Sequence, residues 1–454
     1  MASIGFASSI PPCSPPSRLP TRTRQPSRSA NARRTSSHAP GRTSYRVHRA
    51  RSPPDGQAWY GIKSMMIERI DVRVVEMPVR LKRVFSSGSY DTGPAGQLLG
   101  KPVFVRIYAG GVVGCGQIRP ISPGHFVADT VHSVVAAIRD IYGPLLLGKR
   151  LTDMEAIDEV LTLRLAGNPA ARAVLDIALH DALGKSLGLP VNALIGGCCQ
   201  PVIPLEWSVS LADDVEVMIA EARRAVEDYG IKVLCLKAAG QGGWKRDVVN
   251  FEAVRKVVGD DIVIGVDPNT GWTVADTISA MREMSVFNLG YMEQPVLRRD
   301  VRGLGEIRVQ AKGVPVMADE SLFTVQDAAE LASTRAVDVF CIKLYKVGGI
   351  SPARKIAAIA EANGIPINCG GLAVASQFEA AASAHFCATI PVRRTFGAAE
   401  FVFGVGTMGA DPLVADGAMS IVDGAVTVPT GPGLGLTLDE AQLERMTLQT
   451  TVVA

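Results

Sequence analysis

Five charged residues in the second half of the chain have the types and the spacing that catalysis requires. They are Lys237, Asp267, Glu293, Asp319 and Lys343, and each stands at the end of a short apolar run. Charged side chains at such positions are costly to desolvate unless they are paired or bound to a ligand. Three carboxylates held together repel one another, so we expect a divalent cation between the acids, and all-oxygen ligation favours Mg²⁺.

The two lysines stand one run before and one run after the acids, so they would approach a cation-bound substrate from opposite sides. A buried lysine near a cation has a lowered pKa, which prepares it to act as a general base. The simpler interpretation gives each acid a salt bridge or a helix cap, and each lysine a neighbouring carboxylate. Three acids in register, with a lysine on each flank, favour a metal-dependent catalytic site.

Eight short apolar and β-branched runs carry these residues, and a helical stretch follows each run. The runs are PLEWSVSL, KVLCLKAA, IVIGVDPN, LGYMEQPV, VPVMADES, VDVFCIKLY, IPINCGG and TFGAAEF. Alternating strands and helices imply parallel strands with right-handed crossovers. Eight such units over about 200 residues match a (β/α)₈ barrel. An open doubly wound sheet is the alternative, but no glycine-rich GxGxxG turn follows an early strand.

Each predicted strand ends in a polar or reactive residue, and in a barrel these strand ends face one shared site. The eight residues are Trp207, Lys237, Asp267, Glu293, Asp319, Lys343, Cys369 and Glu400. The part of the chain before the barrel has a different pattern. A strand, a hairpin with a Gly110-Gly111 turn and several helices, the last ending at Gly188, indicate an α+β domain.

The composition is that of a large folded protein. Of 454 residues, 47% are hydrophobic and 20% are charged, so enough apolar surface is present to bury a core. No stretch of 18 or more residues is continuously apolar, so we expect no membrane-spanning helix and no membrane partner. The eight cysteines lack CxxC spacing and are typical of thiols in a reducing compartment, which favours a cytoplasmic protein over a disulfide framework or a zinc site.

Residues 1–65 differ from the rest, with ten arginines, Lys63 and a single acid, Asp55. Such a segment cannot bury a core, so we expect a disordered basic leader. It is either an organelle transit peptide or a non-native extension translated from upstream of the true start. A nucleic-acid arm is disfavoured because aromatic residues for base stacking are not interleaved with the basic ones. The mildly acidic remainder shows no polyanion-binding signal, so we expect no nucleic-acid partner.

The motifs together resemble the enolase superfamily and, within it, the muconate-lactonizing-enzyme subgroup of the mandelate racemase/muconate lactonizing enzyme family. The resemblance covers nearly all of residues 66–446. It is carried by CLK (235–237), VDPN (266–269), MEQP (292–295), ADES (318–321), IKLYKVGGI (342–350), GGLAVASQFEAAASAHF (370–386) and PTGPGLGLTLDE (429–440).

The resemblance implies a modified TIM barrel over 191–410, an α+β capping domain over 66–190 and a C-terminal segment, 411–454, that returns to the cap. It assigns Mg²⁺, with Mn²⁺ as the alternative ion, to the three acids and the acid/base pair to the two lysines. It places Asn269 near the metal or the substrate. We also expect Glu320, Trp207 and Cys235 to bind the substrate or to support the site. Glu400 stands where cycloisomerases of the subgroup carry a glutamate on the last strand.

The family commonly has Lys-x-Lys on the second strand, whereas this chain has Cys235 at the first of these positions. A His-Asp dyad is disfavoured because no histidine ends the seventh strand.

Two cap loops, 85–92 and 117–126, are expected to close over the site and exclude water. Tyr90 and Arg119 on these loops are either contacts for the far end of the substrate or ordinary surface residues.

The predicted function is a Mg²⁺-dependent lyase or isomerase that moves a proton α to a carboxylate through an ene-diolate. Cycloisomerisation of a muconate-like dicarboxylate comes first, followed by racemisation or epimerisation of an amino-acid derivative and by dehydration of a hydroxy acid. The alternatives from other classes are a Schiff-base aldolase and a non-catalytic barrel. The expected partners are a small carboxylate substrate and further copies of the chain in a symmetric homo-oligomer.

Overall fold

The computed structural model describes residues 65–78, 82–86, 88–91, 93–120, 128–371, 376–407 and 409–454, with only the backbone at residues 90 and 91. The predicted leader at residues 1–65 lies outside this part of the chain except for Met65. Most of the predicted loop 117–126 and the side chain of Tyr90 also lie outside it. What we expect of the leader, of the loop 117–126 and of Tyr90 therefore stays a prediction.

Eighteen strands are present in the described residues. They are β1 (Ile67–Val75), β2 (Lys82–Phe85), β3 (Gly88–Asp91), β4 (Val103–Ala109), β5 (Val112–Ile118), β6 (Val202–Pro204), β7 (Glu206–Val209), β8 (Val233–Lys237), β9 (Val263–Asp267), β10 (Leu289–Glu293), β11 (Val316–Ala318), β12 (Val339–Ile342), β13 (Ile367–Cys369), β14 (Val414–Asp416), β15 (Ile421–Val422), β16 (Ala425–Thr427), β17 (Thr437–Leu438) and β18 (Thr447–Val453).

The α-helices of the same residues follow. They are α1 (Val131–Ala137), α2 (Gly143–Leu146), α3 (Met154–Arg164), α4 (Pro169–Leu187), α5 (Val191–Leu194), α6 (Val215–Tyr229), α7 (Gly243–Val258), α8 (Val274–Met284), α9 (Val301–Gln310), α10 (Val325–Thr334), α11 (Leu344–Val347), α12 (Ile350–Ala362), α13 (Gln377–Ala388) and α14 (Glu440–Met446). A π-helical turn, Ile138–Tyr142, joins α1 to α2.

Four antiparallel strands form the first sheet, in the order β18–β1–β4–β5. The alternating sequence of β1 buries Ile70, Val72 and Val74 on one face, as expected for a half-buried strand. The predicted hairpin is β4–β5, and its two-residue turn has positive φ at Gly110 and Gly111, a conformation that glycine adopts without steric cost. On its other edge β1 pairs with β18, so the C-terminal segment contributes a strand to this sheet.

Seven parallel strands form the second sheet, in the sequence order β7 to β13. Their apolar, β-branched runs are buried on both faces, because helices lie on the outside and side chains of the other strands lie on the inside. The inner side chains are Val233, Cys235, Tyr291, Met317, Val339, Cys341 and Ala398. The predicted parallel barrel with an α+β cap is confirmed.

The eighth predicted strand, TFGAAEF at 395–401, is not a strand in the structure, which corrects that part of the prediction. The segment makes one bridge on each side, from Thr395 to Ile367 of β13 and from Ala399 to Leu205 beside β7. Gly397 between them has a φ of +62°, which interrupts the extended conformation. We call residues 395–401 the seam, because this irregular segment closes the barrel between β13 and β7.

A buried carboxylate on α4 joins the cap to the barrel. Asp176 accepts a hydrogen bond of 2.6 Å from the Ser351 hydroxyl and one of 2.5 Å from the Ile350 amide, at the start of α12. The chain between β12 and α12, which carries Lys343 at its beginning, is therefore fixed at its far end by the cap. No helix among the described residues is long and apolar enough to cross a membrane.

Candidate active site

The carboxyl ends of five consecutive barrel strands bring the predicted charged residues into one buried cluster. Lys237, Asp267 and Glu293 are the last residues of β8, β9 and β10, while Asp319 and Lys343 directly follow β11 and β12. None of the five residues is more than 6% exposed. Burying this many charges is tolerable only when they pair with one another or with a bound ion.

Asp267 is held by two neighbours. Its Oδ1 accepts a 2.7 Å hydrogen bond from the Asn269 amide, and its Oδ2 accepts one of 2.8 Å from the Asn269 side chain. The Lys237 ammonium also donates to Oδ2. Burial raises the pKa of Asp267, and the charge of Lys237 offsets part of that rise. For Lys237 the balance is reversed, since burial lowers its pKa but the Asp267 carboxylate raises it well above the ordinary value.

Lys343 lies at the centre of the carboxylates on the other side of the cluster. Its Nζ is 2.8 Å from Asp319 Oδ2, 2.9 Å from Glu400 Oε2 and 3.5 Å from Glu293 Oε1. Burial lowers the pKa of this lysine, but Asp319 and the other nearby acids raise it well above the ordinary value. Glu400, placed by the seam, is therefore part of the site.

Two residues that the sequence analysis did not single out fix Asp319. The fully buried Lys346, on α11, donates to the Asp319 carboxylate and carbonyl oxygens. Burial alone would raise the pKa of Asp319, but the ammonium groups of Lys343 and Lys346 hold it below its usual value. The Gln294 side chain accepts 3.0 Å hydrogen bonds from the amides of Asp319 and Ser321, so it sets the backbone that follows β11.

The backbone is strained where the strands end. Ala239, Asn269, Thr270 and Gln294 all have positive φ values, between 27° and 66°, although none of them is glycine. Residues in this region cost of order 1–3 kcal/mol each and persist where the surrounding structure fixes them, often at functional sites. The strain marks the ends of β8, β9 and β10, which is where the charged cluster lies.

Glu320 directly follows Asp319 and is buried. Its Oε1 accepts a 3.2 Å hydrogen bond from Asn269, while its buried Oε2 has no hydrogen-bond partner among the described residues. Burial, together with the charges of Asp319 and Asp267, raises the pKa of Glu320 to about 8. This carboxyl group is therefore largely protonated at neutral pH unless a cation binds nearby.

Trp207 is not brought into the cluster. Its indole N–H donates 2.9 Å to Glu221 of α6, and its ring packs against Phe403 with the centroids 5.0 Å apart. Successive side chains of a strand point to opposite faces, so Glu206 enters the barrel interior instead. Glu206 was not predicted, although an acid inside an otherwise apolar strand is an unusual sequence feature.

Cys235 and Arg119 have different surroundings. The Cys235 thiol is inside the barrel, 3.5 Å from Glu293 Oε2. Arg119 is completely buried, its Nε donates 3.1 Å to the Gly100 carbonyl, and its charge acts on the buried carboxyl group of Glu379. Arg119 is thus not an ordinary surface residue, and its proposed contact with substrate stays a prediction.

The acids present a donor set that suits a hard divalent cation. Glu293 Oε1, Glu320 Oε2 and Asn269 Oδ1 are buried oxygens without hydrogen-bond partners among the described residues. Burial and the charges of Asp267 and Glu400 raise the pKa of Glu293 well above its usual value. Oxygen ligands of this kind fit Mg²⁺. The carboxylates of Asp267, Glu293 and Asp319 are not within 4.8 Å of one another as a set in the described structure. Lys237 lies against Asp267, and Lys343 lies against Asp319.

A parallel barrel with an α+β cap, and a row of buried acids between two lysines at the strand ends, define a known class of enzyme. The chain belongs to the mandelate racemase/muconate lactonizing enzyme family of the enolase superfamily, in the muconate-lactonizing subgroup. Residues 217–442 match the enolase C-terminal domain-like family, and residues 89–196 match the N-terminal domain of mandelate racemase and muconate lactonizing enzyme. The resemblance inferred from the motifs is confirmed.

Particular relatives share most of the chain. A chloromuconate cycloisomerase from Pseudomonas putida is 31% identical over 391 residues, which are 84% of this chain and 99% of the relative. The crystal structure of muconate lactonizing enzyme from Pseudomonas fluorescens, complexed with muconolactone, is 29% identical with a TM-score of 0.76 and covers 85% of this chain and 100% of that one.

A dipeptide epimerase from Enterococcus faecalis, complexed with Mg and the dipeptide L-Leu-L-Tyr, is 30% identical with a TM-score of 0.72, covering 82% of this chain and 100% of that one. The relatives thus include both cycloisomerases and epimerases. The chain is an enzyme of the isomerase or lyase type.

Proposed function

We propose that this protein is a Mg²⁺-dependent cycloisomerase that transfers a proton at the carbon α to a carboxylate of a muconate-like dicarboxylate. The observation that supports this proposal most is the position of Lys343. Its ammonium lies 2.8 Å from Asp319 and 2.9 Å from Glu400, between the acids proposed to hold the metal and the glutamate of the seam. A proton donor and acceptor is therefore fixed beside the place where a carboxylate substrate would bind.

The chemistry needs both a cation and a lysine. Removing a proton α to a carboxylate places a second negative charge beside the first, so the uncatalysed reaction is very slow. Mg²⁺ held by Asp267, Glu293 and Asp319 would supply positive charge for the substrate carboxylate. When the ring closes, a carboxylate oxygen adds to a double bond and the carbon α to the other carboxylate takes a proton. We assign that proton to Lys343, and ring opening reverses the two steps.

The other residues of the cluster hold the reacting groups in place. Lys237 lies across the row of acids, on Asp267, where it can stabilise the negative charge that develops on the substrate. Asn269 fixes both oxygens of Asp267 through hydrogen bonds of 2.7 and 2.8 Å. Lys346 holds Asp319 without facing the substrate itself. These side chains preorganise the charges, which costs no rearrangement during the reaction.

Turnover of cis,cis-muconate tests the proposal directly. The loss of its conjugated diene is followed by ultraviolet absorption, and deuterium uptake from D₂O is followed by NMR. We expect Mg²⁺-dependent turnover that EDTA abolishes and excess Mg²⁺ restores. Lys343→Ala should lower the rate by about 10²–10⁴-fold, the usual range for a general acid or base. Lys355→Ala, on the surface, is the matched control and should keep full activity. Turnover that survives EDTA, or a Lys343→Ala variant as active as the control, would contradict the proposal.

Epimerisation of an amino-acid derivative is the second candidate, and one observation favours it. Lys237 and Lys343 are on β8 and directly after β12, on opposite sides of the acids, and a two-base epimerase needs a proton carrier on each face of the α-carbon. The two functions are separated by stereochemistry. In an epimerase, Lys237→Ala should abolish α-proton exchange for one stereoisomer of a dipeptide and leave it for the other. In the proposed cycloisomerase, neither stereoisomer exchanges.

A further inference from the structure

The barrel interior contains a second group of polar side chains, which the proposed reaction does not use. Glu206, the first residue of β7, is completely buried, and neither carboxylate oxygen accepts a hydrogen bond of normal geometry in the described structure, although the Tyr291 hydroxyl is close enough to offset part of the rise in the pKa of Glu206 that burial causes. One ligand atom each from Glu206, Cys235 and Glu293 lie within 4.8 Å of one another. The Cys235 thiol is 3.5 Å from Glu293 Oε2, whereas Oε1 of the same carboxylate faces Lys343. Glu293 thus presents one oxygen to each group.

The positive charges of the site are committed elsewhere. Lys237 is paired with Asp267, and Lys346 is paired with Asp319. Lys343 is paired with Asp319 and with Glu400. Its longer contact of 3.5 Å is with Oε1 of Glu293, not with the Oε2 that faces Cys235. No ion pair of the described residues reaches Glu206. A buried carboxylate without a hydrogen bond or an ion pair costs several kcal/mol, which a bound cation or a retained proton would remove.

A thiol in this position selects among cations. Thiolate ligands favour zinc and other soft metals, while a set of carboxylates alone suits Mg²⁺. In tetrahedral zinc sites the ligands lie about 2.0–2.3 Å from the metal, so ligand atoms are about 3.5 Å apart. The distance between the Cys235 thiol and Glu293 already has this value. The family commonly has a lysine at position 235, so a cation bound by the thiol would restore the positive charge that this chain lacks there.

A neighbouring group is less suitable. Glu293, Cys341 and Glu400 also have ligand atoms within 4.8 Å of one another. The ammonium of Lys343, however, lies 2.9 Å from Glu400 and 3.5 Å from Glu293, so this group already holds a positive charge. A second cation there would be repelled by the lysine.

We propose that Glu206, Cys235 and Glu293 form a second cation site inside the barrel, which binds Zn²⁺ or a similar thiophilic divalent ion. Binding forms a metal–sulfur bond and releases the thiol proton of Cys235 to solvent. The fourth position of the tetrahedron is available to water or to the hydroxyl of Tyr291, a neighbour of Glu206. The site shares Glu293 with the proposed Mg²⁺ site and places a fixed positive charge behind that carboxylate.

Cobalt titration of the metal-free, full-length protein in excess Mg²⁺ tests this proposal. Co²⁺ bound to a thiolate gives an intense sulfur-to-metal charge-transfer absorption in the near ultraviolet, whereas Co²⁺ on carboxylates alone does not. We expect one equivalent of Co²⁺ to produce this absorption, and Zn²⁺ but not Mg²⁺ to remove it. Cys235→Ser should abolish the absorption. Glu206→Gln, which keeps the shape of the side chain, should weaken Co²⁺ binding at least 10-fold.

Two further thiol variants complete the experiment. Cys115→Ser, in the cap, is the matched control, and Cys341→Ser removes the thiol of the neighbouring group; both should keep the absorption. No absorption in the wild-type protein, or absorption that persists in Cys235→Ser or disappears in Cys341→Ser, overturns the proposal. Glu206→Gln is nearly isosteric, so it tests the site even when Cys235→Ser does not fold. Unchanged Co²⁺ affinity in Glu206→Gln would then overturn the proposal. Muconate turnover is measured separately, so cobalt absorption without turnover contradicts the proposed function and leaves this site supported.

Discussion

Lys346 donates to Oδ1 of Asp319, the carboxylate oxygen that Lys343 leaves free. The two lysines therefore hold one carboxylate between them, with Lys343 facing the site and Lys346 enclosed by the barrel wall. A third hydrogen bond of 3.1 Å joins Lys346 to the Cys341 carbonyl, so the residue ties the end of β11 to β12. The orientation of Asp319 therefore depends on Lys346 as well as on Lys343.

Replacing Lys346 by methionine should destabilise the fold. The change keeps the volume of the side chain but leaves the buried charge of Asp319 with Lys343 alone, and breaking a buried pair costs about 3–5 kcal/mol. Denaturant unfolding measures this loss. The double variant Lys346→Met/Asp319→Asn should lose less than the sum of the two single changes. Lys355→Met, which removes a half-exposed surface pair, is the control and should cost less than about 1 kcal/mol. Additive losses would show that Lys346 and Asp319 are not coupled.

Gly370→Ala should lower activity far more than stability. A Cβ at this position would lie 2.5 Å from Cε of Lys343 and 2.8 Å from Sγ of Cys341, so Lys343 must move. Misplacing a catalytic group by about 1 Å can cost 10²-fold in rate. The measurement compares kcat with the unfolding temperature. Gly305→Ala, where a Cβ meets only one atom at 3.8 Å, is the control; it should keep full activity and raise the unfolding temperature slightly, because alanine is favoured over glycine inside a helix. Equal activity of the two variants would contradict the assigned position of Lys343.

The contact between the cap and α12 should depend on pH. Burial and Arg354 lower the pKa of His180, but Asp176 raises it above its ordinary value of 6.5. Burial raises the pKa of Asp176, but His180, Ser351 and the Ile350 amide lower it below 3.8. The pair therefore stabilises the fold fully between about pH 4 and 6.5. Its contribution is lost as the pH rises through the raised pKa of His180, or falls through the lowered pKa of Asp176.

Thermal unfolding of the wild type and of His180→Gln measures this contribution. The difference between the two melting temperatures should be largest near pH 5.5 and should shrink as the pH rises to about 9. His132→Gln changes an exposed histidine of α1 and serves as the control, with no pH-dependent difference expected. A gap between wild type and His180→Gln that widens with rising pH would show that the pKa of His180 is lowered in the folded protein.

Asp181→Asn should loosen the C-terminal segment. Asp181 accepts hydrogen bonds of 2.7 Å from the amides of Leu434 and Cys115 and from the Lys185 ammonium. Hydrogen bonds to a charged group contribute about 1.5–3 kcal/mol each, so a loss of about 3 kcal/mol is expected. Hydrogen exchange should show faster opening of residues 429–440. Asp260→Asn, at an exposed position, should change neither quantity; unchanged exchange in Asp181→Asn would refute this role.

The sequence predicted the barrel strands well because they are short apolar runs, and five of the seven end at, or directly before, a charged residue. The strand prediction failed at residues 395–401, where the strand-like pattern is only local. The seam has a strand-like sequence, but Gly397 adopts a positive φ and two neighbouring strands hold the segment through single bridges. The prediction also chose the wrong residue of β7. Successive side chains of a strand point to opposite faces, so Glu206 enters the barrel where Trp207 was expected.

Lys346 and Gln294 were missed for a related reason. Their importance comes from contacts across the sheet, with Asp319 and Ser321, which no local pattern reveals. Lys346 stands three residues after Lys343 and appears in sequence as an ordinary polar residue of a loop. The proposed cation site could not be predicted from the sequence for the same reason. Glu206 on β7 and Glu293 on β10 are far apart along the chain but meet in space.

The seam also bears on how the position of Glu400 could change. Residues 395–401 hold Glu400 2.9 Å from Lys343 without belonging to a continuous ladder, so their path can lengthen, shorten or shift while the adjoining strands keep their registers. Insertions or deletions in this irregular closure would therefore move Glu400 relative to Lys343, while the strands that carry the other charged residues keep their pairing.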